Sequence, residues 1–196
     1  MGRGPDEHTM HPVETHRLFL RPIEDRDLPS FVSLNANPTV MRYFPNVLSP
    51  QESRALFDRV KELAQDEGLG LMTVELKDTG ALVGFMGLGT PRFRSYFTPC
   101  TEIMWRLHQQ FWGHGYATEG AKAILKHGLE HWGHHEIFAF TPVKNKASIA
   151  VMQKIGMQPH PQHHFTHPSL PNGHPLGQHV LYRALRKSMA VGDGFD

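Results

Sequence analysis

The sequence predicts a single α/β domain in which helices flank a mixed, mostly antiparallel sheet. Three observations support this fold class. Segments that alternate like strands are interspersed with segments of helical periodicity along the whole chain. The predicted order is one strand, two or three helices, three strands, a helix, a strand, a helix, a loop and a last strand. The 196 residues suit one domain, and no linker or internal repeat divides them.

Composition excludes several classes of protein. The chain contains 20 Lys and Arg and 19 Asp and Glu, a balance that gives no sustained basic surface for binding nucleic acid or a membrane. No apolar run approaches the roughly 20 residues of a membrane span, and the N-terminal segment lacks a signal-peptide pattern. Cys100 is the only cysteine, which excludes an intramolecular disulfide. We expect a cytoplasmic protein with no nucleic-acid or membrane partner; a homodimer is compatible with the sequence.

The domain boundaries follow from where periodicity starts and stops. Residues 1–14 show none and are predicted to be a mobile tail. The domain is predicted to cover residues 15–187, with a second tail over residues 188–196.

The first half of the domain begins with a strand over residues 16–21 that Pro22 stops. Asp27 then caps a short helix, and a second helical piece spans residues 37–41. The sequence Ser49-Pro50-Gln51-Glu52 is a capping box, which predicts a longer helix that ends at Gly68.

A hairpin is predicted next, with strands over residues 71–76 and 81–88 joined by the turn Lys77-Asp78-Thr79-Gly80. The connection over residues 91–99 carries three aromatic residues. They either fold back onto the core or form a wall of a substrate pocket.

The second half alternates strands and helices up to a segment rich in Pro, His and Gly, which is predicted to be irregular. The predicted pieces are a strand over residues 101–107, a helix from Gly115 whose apolar face runs from Ala117 to Trp132, a strand over 136–141, a helix over 145–155, the irregular segment 159–177 and a strand over 178–184.

The junction after strand 101–107 is suited to hold a phosphate. In Gln110-x-x-Gly113-x-Gly115, two glycines let an anion approach the backbone, and the N–H groups from His114 to Thr118 point toward it along the new helix. A dinucleotide motif would need glycine at Thr118, and the Gly-Lys-Ser/Thr of a P-loop is absent. A plain strand-turn-helix connection is the alternative.

Five motifs in register resemble the GNAT superfamily of N-acetyltransferases, in the branch of the ribosomal-protein-alanine N-acetyltransferases. The motifs are Thr15-His16-Arg17-Leu18-x-Leu20-Arg21-Pro22, Asn37-Pro38-x-Val40-Met41-Arg42-Tyr43, Thr101-Glu102-Ile103-x-Trp105-Arg106-Leu107, Trp112-Gly113-x-Gly115-Tyr116-Ala117-Thr118-Glu119 and Asn145-x-x-Ser148-x-x-x-Met152-x-Lys154-x-Gly156-Met157.

The resemblance implies the GNAT fold, an acetyl-CoA cosubstrate, an amine acceptor and no metal. In this fold, strand 101–107 splays from strand 136–141, and the pantetheine arm of acetyl-CoA pairs with the exposed main chain. The residues implied to bind acetyl-CoA, several of them through main-chain atoms, are Trp105, Arg106, Leu107, Gln110, Gly113, His114, Gly115, Tyr116, Ala117, Thr118, Asn145 and Ser148.

The implied reaction is direct attack of a neutral amine in a ternary complex, without an acyl-enzyme. Glu102 is the candidate base, and its alternative role is a buried carboxylate that orients Arg106 or the backbone. Backbone N–H groups of residues 105–107 are expected to stabilise the oxyanion. Met152 stands where many members have a tyrosine acid. Ser148 is then the nearest hydroxyl, although it also suits a helix cap, and water is an alternative proton source.

Two other functions are compatible with the sequence. His127, Glu130 and His131 match a zinc-peptidase pattern, with a solvated helix face as the alternative. A non-catalytic acyl-CoA-binding module is the second rival. Cys100 lacks a marked His partner, which disfavours an acyl-enzyme.

The His-rich residues 160–177 are expected to lie beside the acceptor mouth and to help select the amine.

Overall fold

The computed structural model describes residues 11–66 and 69–186. The predicted tail at residues 188–196, most of the one at residues 1–14, and the helix end predicted at Gly68 lie outside the described residues. None of the described helices combines the length and the apolar composition needed to cross a bilayer.

In the described residues, eight strands form one mixed sheet in the order β1-β2-β3-β4-β5-β6-β8-β7. Every neighbouring pair is antiparallel except β5 with β6, so the predicted sheet type is confirmed. The strands are β1 (Val13–Glu14), β2 (Leu18–Pro22), β3 (Gly70–Leu76), β4 (Leu82–Gly89), β5 (Glu102–Leu107), β6 (Glu136–Pro142), β7 (Gln158–Thr166) and β8 (Gln178–Leu185).

Four α-helices flank the sheet in the described part of the chain. They are α1 (Leu28–Ala36), α2 (Pro50–Asp66), α3 (Tyr116–Glu130) and α4 (Lys146–Lys154). The predicted capping box at the start of α2 is confirmed, because the Ser49 N–H donates to Glu52 Oε2 (2.7 Å) and the Glu52 N–H donates to Ser49 Oγ (3.2 Å). The helical piece predicted over residues 37–41 is instead a series of turns, in which Asn37 Oδ1 accepts the N–H groups of Thr39 and Val40.

Alternation along the strands divides the apolar residues between two faces of the sheet. The main core lies under α3 and α4 and includes Met86, Ile103, Ile124, Ile137 and Met152. On the opposite face, a second cluster packs under α1 and α2, and a third, aromatic cluster lies under the connection between β4 and β5. The second cluster includes Phe31, Phe57 and Phe85, and the third includes Phe97, Phe138 and Phe165. We call this the α1/α2 face.

Two strands were not predicted. Val13 and Glu14, placed in the tail by the sequence, pair with Leu20 and Phe19, and Val13 is buried. The more important correction is β7, which occupies half of the segment predicted to be irregular.

Strand β7 tolerates two prolines because it is the edge strand of the sheet. Proline lacks an N–H group, and an edge strand leaves one side of its main chain unpaired. The register with β8 shifts between Pro159 and His164, so that the irregular part bulges out and Phe165 still reaches the aromatic cluster. The predicted loop therefore shrinks to the turns after Thr166.

A buried ion-pair network connects β2, β3 and the start of α1. The guanidinium of Arg21 donates to both carboxylate oxygens of Asp27 (2.8 Å each) and to Glu75 (2.6 Å). Asp27 also accepts from Thr73 Oγ1 (2.7 Å) and from the Glu24 N–H (2.8 Å). Burial alone would raise the pKa of Asp27, but these hydrogen bonds hold it below its ordinary value.

We expect Asp27→Asn to lower the free energy of unfolding by about 3 kcal/mol, because it leaves Arg21 short of a buried countercharge. The measurement is urea denaturation. Glu14→Gln is the matched control, since Glu14 pairs with Lys77 on the exposed surface and should cost about 1 kcal/mol or less. Equal losses in the two variants would contradict this account of the network.

Candidate active site

Strands β5 and β6 separate immediately after they meet. The two strands pair at one position, Glu102 opposite Phe138, where the Phe138 N–H donates a hydrogen bond to the Thr101 carbonyl (2.8 Å). From Ile103 to Leu107 the edge of β5 that faces β6 has no ladder partner among the described residues, while its other edge pairs with β4 throughout. The splayed strand pair that the sequence predicted is confirmed.

The open edge ends in the glycine loop. Gly113 and Gly115 have φ angles of 81° and 80°, which residues with a Cβ rarely adopt. A Cβ at Gly113 would meet no atom within 4 Å, so the space above this loop is open. Gly115 is the N-cap of α3 and provides no side-chain cap. The first N–H groups of α3, from Tyr116 to Thr118, are therefore directed toward this space. Gln110 is exposed beside it.

Arg17 and Glu119 hold the loop in place through a contact that spans 102 residues of sequence, which no local pattern predicts. Glu119, in the first turn of α3, accepts from the Arg17 N–H (2.8 Å), from Arg17 Nε (2.7 Å) and from Thr15 Oγ1 (2.6 Å). Arg17 Nη1 donates to the His114 carbonyl (3.0 Å), and its guanidinium lies 4.6 Å from the centre of the Tyr116 ring. Arg17 and Glu119 each belong to one of the five motifs, which indicates that both positions matter but not that they are in contact.

The three residues at the end of β5 face different surroundings. Trp105 packs against the main core, whereas Arg106 points to the α1/α2 face, where it contacts Asn35 and Phe44. Leu107 is buried, and its carbonyl accepts a hydrogen bond from Trp112 Nε1 (2.9 Å). Of the main-chain groups predicted to bind acetyl-CoA, this carbonyl already has a partner. The prediction is wrong for the main chain of Arg106, which faces β4, because alternate residues of a strand direct their N–H and C=O groups to opposite edges and the Thr101 carbonyl faces β6.

Glu102 also points to the α1/α2 face, because it alternates with the buried Ile103. Gly89 stands opposite it on β4 and presents no side chain. Within residues 11–66 and 69–186, the Glu102 carboxylate has no hydrogen bond or ion pair. It therefore does not orient Arg106 or the backbone, which was the alternative role. Burial raises the pKa of Glu102 to about 8. A carboxyl that titrates near neutrality suits acid–base chemistry.

Asn145 and Ser148 lie together where β6 leads into α4. Asn145 is the N-cap of α4: its Oδ1 accepts the Ser148 N–H (3.3 Å), and its Nδ2 donates to Thr141 Oγ1 (2.9 Å) and Ser148 Oγ (3.0 Å). Both side chains therefore serve the helix cap. Met152, one turn further on, is buried in the main core and offers no proton.

The surroundings of Cys100 and of the histidine pair of α3 favour neither a cysteine nucleophile nor a zinc site. Burial, with Glu102 and Glu136 nearby, raises the pKa of Cys100 to about 12, which disfavours a thiolate nucleophile. The Nδ1 atom of His127 lies 2.9 Å from the Ala123 carbonyl within the helix, and Glu130 faces Lys126 (3.9 Å). No group of three or more potential metal ligands occurs within residues 11–66 and 69–186.

The connection between β4 and β5 folds back onto the core, which is one of the two roles that the sequence left open. Phe93 and Phe97 pack into the aromatic cluster, and Tyr96 donates to the Gln162 carbonyl of β7 (2.6 Å). Tyr96 and Phe97 also line a cavity of about 610 Å³ at the N-terminal ends of β5 and β6, together with Cys100 and His160. This cavity lies at the end of the strands opposite the glycine loop.

Comparison of the sequence with known families identifies an acetyltransferase domain. Residues 17–158 match the acetyltransferase (GNAT) domain. Two proteins of Bacillus subtilis are similar to this chain: the uncharacterized protein YkkB, 32% identical over 144 residues, and the uncharacterized N-acetyltransferase YnaD, 31% identical over 151 residues. The matched regions cover 73% and 76% of this chain, and 83% of each relative.

Solved structures agree. A GNAT-family acetyltransferase from Bacillus anthracis superposes with a TM-score of 0.72 at 25% identity, covering 89% of this chain and 98% of that one. The spermidine N-acetyltransferase of Vibrio cholerae, solved in complex with CoA and spermine, gives a TM-score of 0.70 at 21% identity and covers 88% and 97% of the two chains. The latter likeness concerns the fold. Since the family match spans most of the chain and the relatives exceed 30% identity, the protein belongs to the GNAT family of acetyltransferases.

Proposed function

We propose that this acetyltransferase transfers the acetyl group of acetyl-CoA to a primary amine, either a protein N-terminus or a small molecule, by direct attack in a ternary complex. The observation that carries the proposal is the open edge of β5, which runs from its pairing with β6 at Glu102 into the glycine loop at the start of α3. An extended chain pairs with such an edge, and a phosphate binds where it ends.

The residues present fit acetyl-CoA. Gly113 leaves open space for a pyrophosphate, the first N–H groups of α3 face that space, and Arg17 holds the loop through His114. Gln110 lies exposed at its rim. When bound, acetyl-CoA supplies an acetyl group activated as a thioester. The main chain of Trp105 and Leu107, which faces the open edge of β5, would hold its pantetheine arm, and Asn145 and Ser148 lie on the facing side of the gap.

In this proposal, the chain supplies a base and hydrogen-bond donors. Glu102 accepts the proton of the incoming ammonium through bridging waters, because it lies about 10 Å from residue 105 along β5 at roughly 3.3 Å per residue. Its raised pKa of about 8 suits this role. Within residues 105–107, the backbone N–H groups of Trp105 and Leu107 face the open edge, and they donate to the acetyl oxygen as negative charge develops there. Since Met152 is buried and apolar, the proton for the thiolate comes from the Ser148 hydroxyl or from water.

The identity of the acceptor belongs to this proposal as well. The spermidine enzyme of Vibrio cholerae shares the fold, and it illustrates that a polyamine suits such a scaffold. The formal net charge of +1 supports neither a nucleic-acid nor a membrane partner. A cytoplasmic location and a homodimer stay predictions.

A non-catalytic acyl-CoA-binding module is the second candidate, because Met152 replaces a proton donor. Titration calorimetry with acetyl-CoA, combined with a thiol-release assay on a panel of amines, separates the two. We expect binding together with release of CoA in the presence of at least one amine. Binding without release on any amine would support the module.

We expect Gly113→Val to weaken acetyl-CoA binding by about tenfold or more, because the side chain fills the space above the loop. Calorimetry measures the dissociation constant. Gly80→Val is a matched control: Gly80 also has a positive φ (69°) and open space around it, but it lies in the turn after β3. Unchanged affinity in a folded Gly113→Val protein would remove the loop from the site.

We expect Glu102→Gln to lower kcat by about 100-fold and to leave acetyl-CoA binding intact, because it removes the proton acceptor. In the wild type, kcat should rise with pH and level off above about pH 8, since Glu102 must lose its proton to act. In Glu102→Gln, this rise of kcat with pH should disappear. Glu136→Gln, on the neighbouring strand and paired with Arg183, is the control. Retention of both the rate and the rise with pH would show that the base lies elsewhere.

A further inference from the structure

A polar cluster on the α1/α2 face plays no part in the chemistry described so far. Arg106 Nη1 donates to Asn35 Oδ1, and the Arg106 guanidinium lies 4.2 Å from the centre of the Phe44 ring. Asn35 belongs to α1 and is fully buried, with an exposed fraction of 0%. Phe44 belongs to the turns that follow α1, and it is 39% exposed.

The cluster contains donors that lack acceptors. Asn35 Nδ2 and Arg106 Nε are both buried without a hydrogen-bond partner. Rotating the Asn35 amide would place its NH₂ group against the guanidinium, so the orientation with Oδ1 toward Arg106 is the favourable one. Buried donors without acceptors are costly, and native proteins rarely keep two together.

Arg106 also lacks a countercharge in the described part of the chain. Arg21 is the internal comparison: it is buried and paired with the carboxylates of Asp27 and Glu75, whereas Arg106 is half-buried. Within residues 11–66 and 69–186, the hydrogen-bond and cation–π partners of the Arg106 guanidinium are a neutral amide and an aromatic ring, and neither is a carboxylate. Burial lowers the pKa of Arg106 to about 10, so the guanidinium keeps its charge at neutral pH. Two free donors and an unpaired cation together match the two oxygens of a carboxylate.

The cluster lies on the same face of β5 as Glu102, the proposed base. Glu102, Met104 and Arg106 alternate onto the same face of β5, between the clusters under α1 and α2 and under the connection after β4. Residues 102 and 106 are about 13 Å apart along the strand at roughly 3.3 Å per residue. An acceptor that reaches the N–H groups of Trp105 and Leu107 therefore passes beside Arg106.

We infer that Asn35 and Arg106 form a binding site for a carboxylate on the amine acceptor, so that the preferred substrates carry an amine and a carboxylate in one molecule. One carboxylate oxygen accepts from Asn35 Nδ2, and the other accepts from the Arg106 guanidinium. This inference rests on the proposed transfer of acetyl to an amine, and it narrows the class of acceptor.

The test compares acceptors that differ only in this group. The pairs are glycine and glycinamide, β-alanine and its amide, and 4-aminobutyrate and its amide, each assayed with acetyl-CoA and corrected for the fraction of neutral amine. The three lengths vary the distance between amine and carboxylate. In at least one pair, kcat/KM for the carboxylate should exceed that for the amide by about tenfold or more.

Asn35→Asp is the decisive variant, because it places a carboxylate beside Arg106 within the protein. It should abolish the preference while acetyl-CoA affinity stays unchanged. A second measurement needs no turnover: acetate is titrated while the arginine Nε–H resonances are followed by NMR, and the Arg106 resonance is assigned by its loss in Arg106→Lys. A saturable shift of this resonance in the wild type, absent in Asn35→Asp, is the expected result.

Equal rates for both members of every pair, or turnover of other amines with none of the carboxylates, would overturn the inference and leave the transferase assignment intact. If no amine is acetylated, the proposed reaction fails, and the acetate titration alone decides: without a saturable shift, no carboxylate site exists.

Discussion

The divergence of β5 from β6 after a single paired position is the constraint on which the site depends. A parallel strand pair normally continues, because each unpaired main-chain group that is buried costs free energy. Here the pairing stops at Glu102 and Phe138, and β5 remains attached through β4 alone. The freed edge of β5 becomes a binding surface made of backbone, which side-chain substitutions change little.

Two ion-pair systems hold the elements around this surface. Arg17 and Glu119 join the start of β2 to the first turn of α3, next to the glycine loop. Glu119 lies at the N-terminus of this helix, where negative charge is favourable. Arg21, Asp27 and Glu75 join β2, β3 and the start of α1 on the other face. Strand β2 therefore positions both the cofactor loop and the helix that carries Asn35.

The sequence could predict the elements whose signals are local, and it missed contacts between distant residues. The capping box of α2, the hairpin of β3 and β4, and the glycine loop each depend on a few consecutive residues, and all three are found in the structure. Strand β7 was missed because its two prolines and its bulge obscure the alternation, while pairing with β8 decides its conformation. The Arg17–Glu119 contact spans 102 residues and the Arg106–Asn35 contact spans 71, and no local pattern predicts either partner.

Amide hydrogen exchange with and without acetyl-CoA tests the central claim most directly, because the claim concerns main-chain groups. Addition of acetyl-CoA should slow exchange in two segments, the open edge of β5 over residues 103–107 and the loop and helix start over residues 113–118. The amides of β3, which lie inside the sheet between β2 and β4, should not change. Protection elsewhere in the protein, with both segments unaffected, would contradict the account of where the cosubstrate binds.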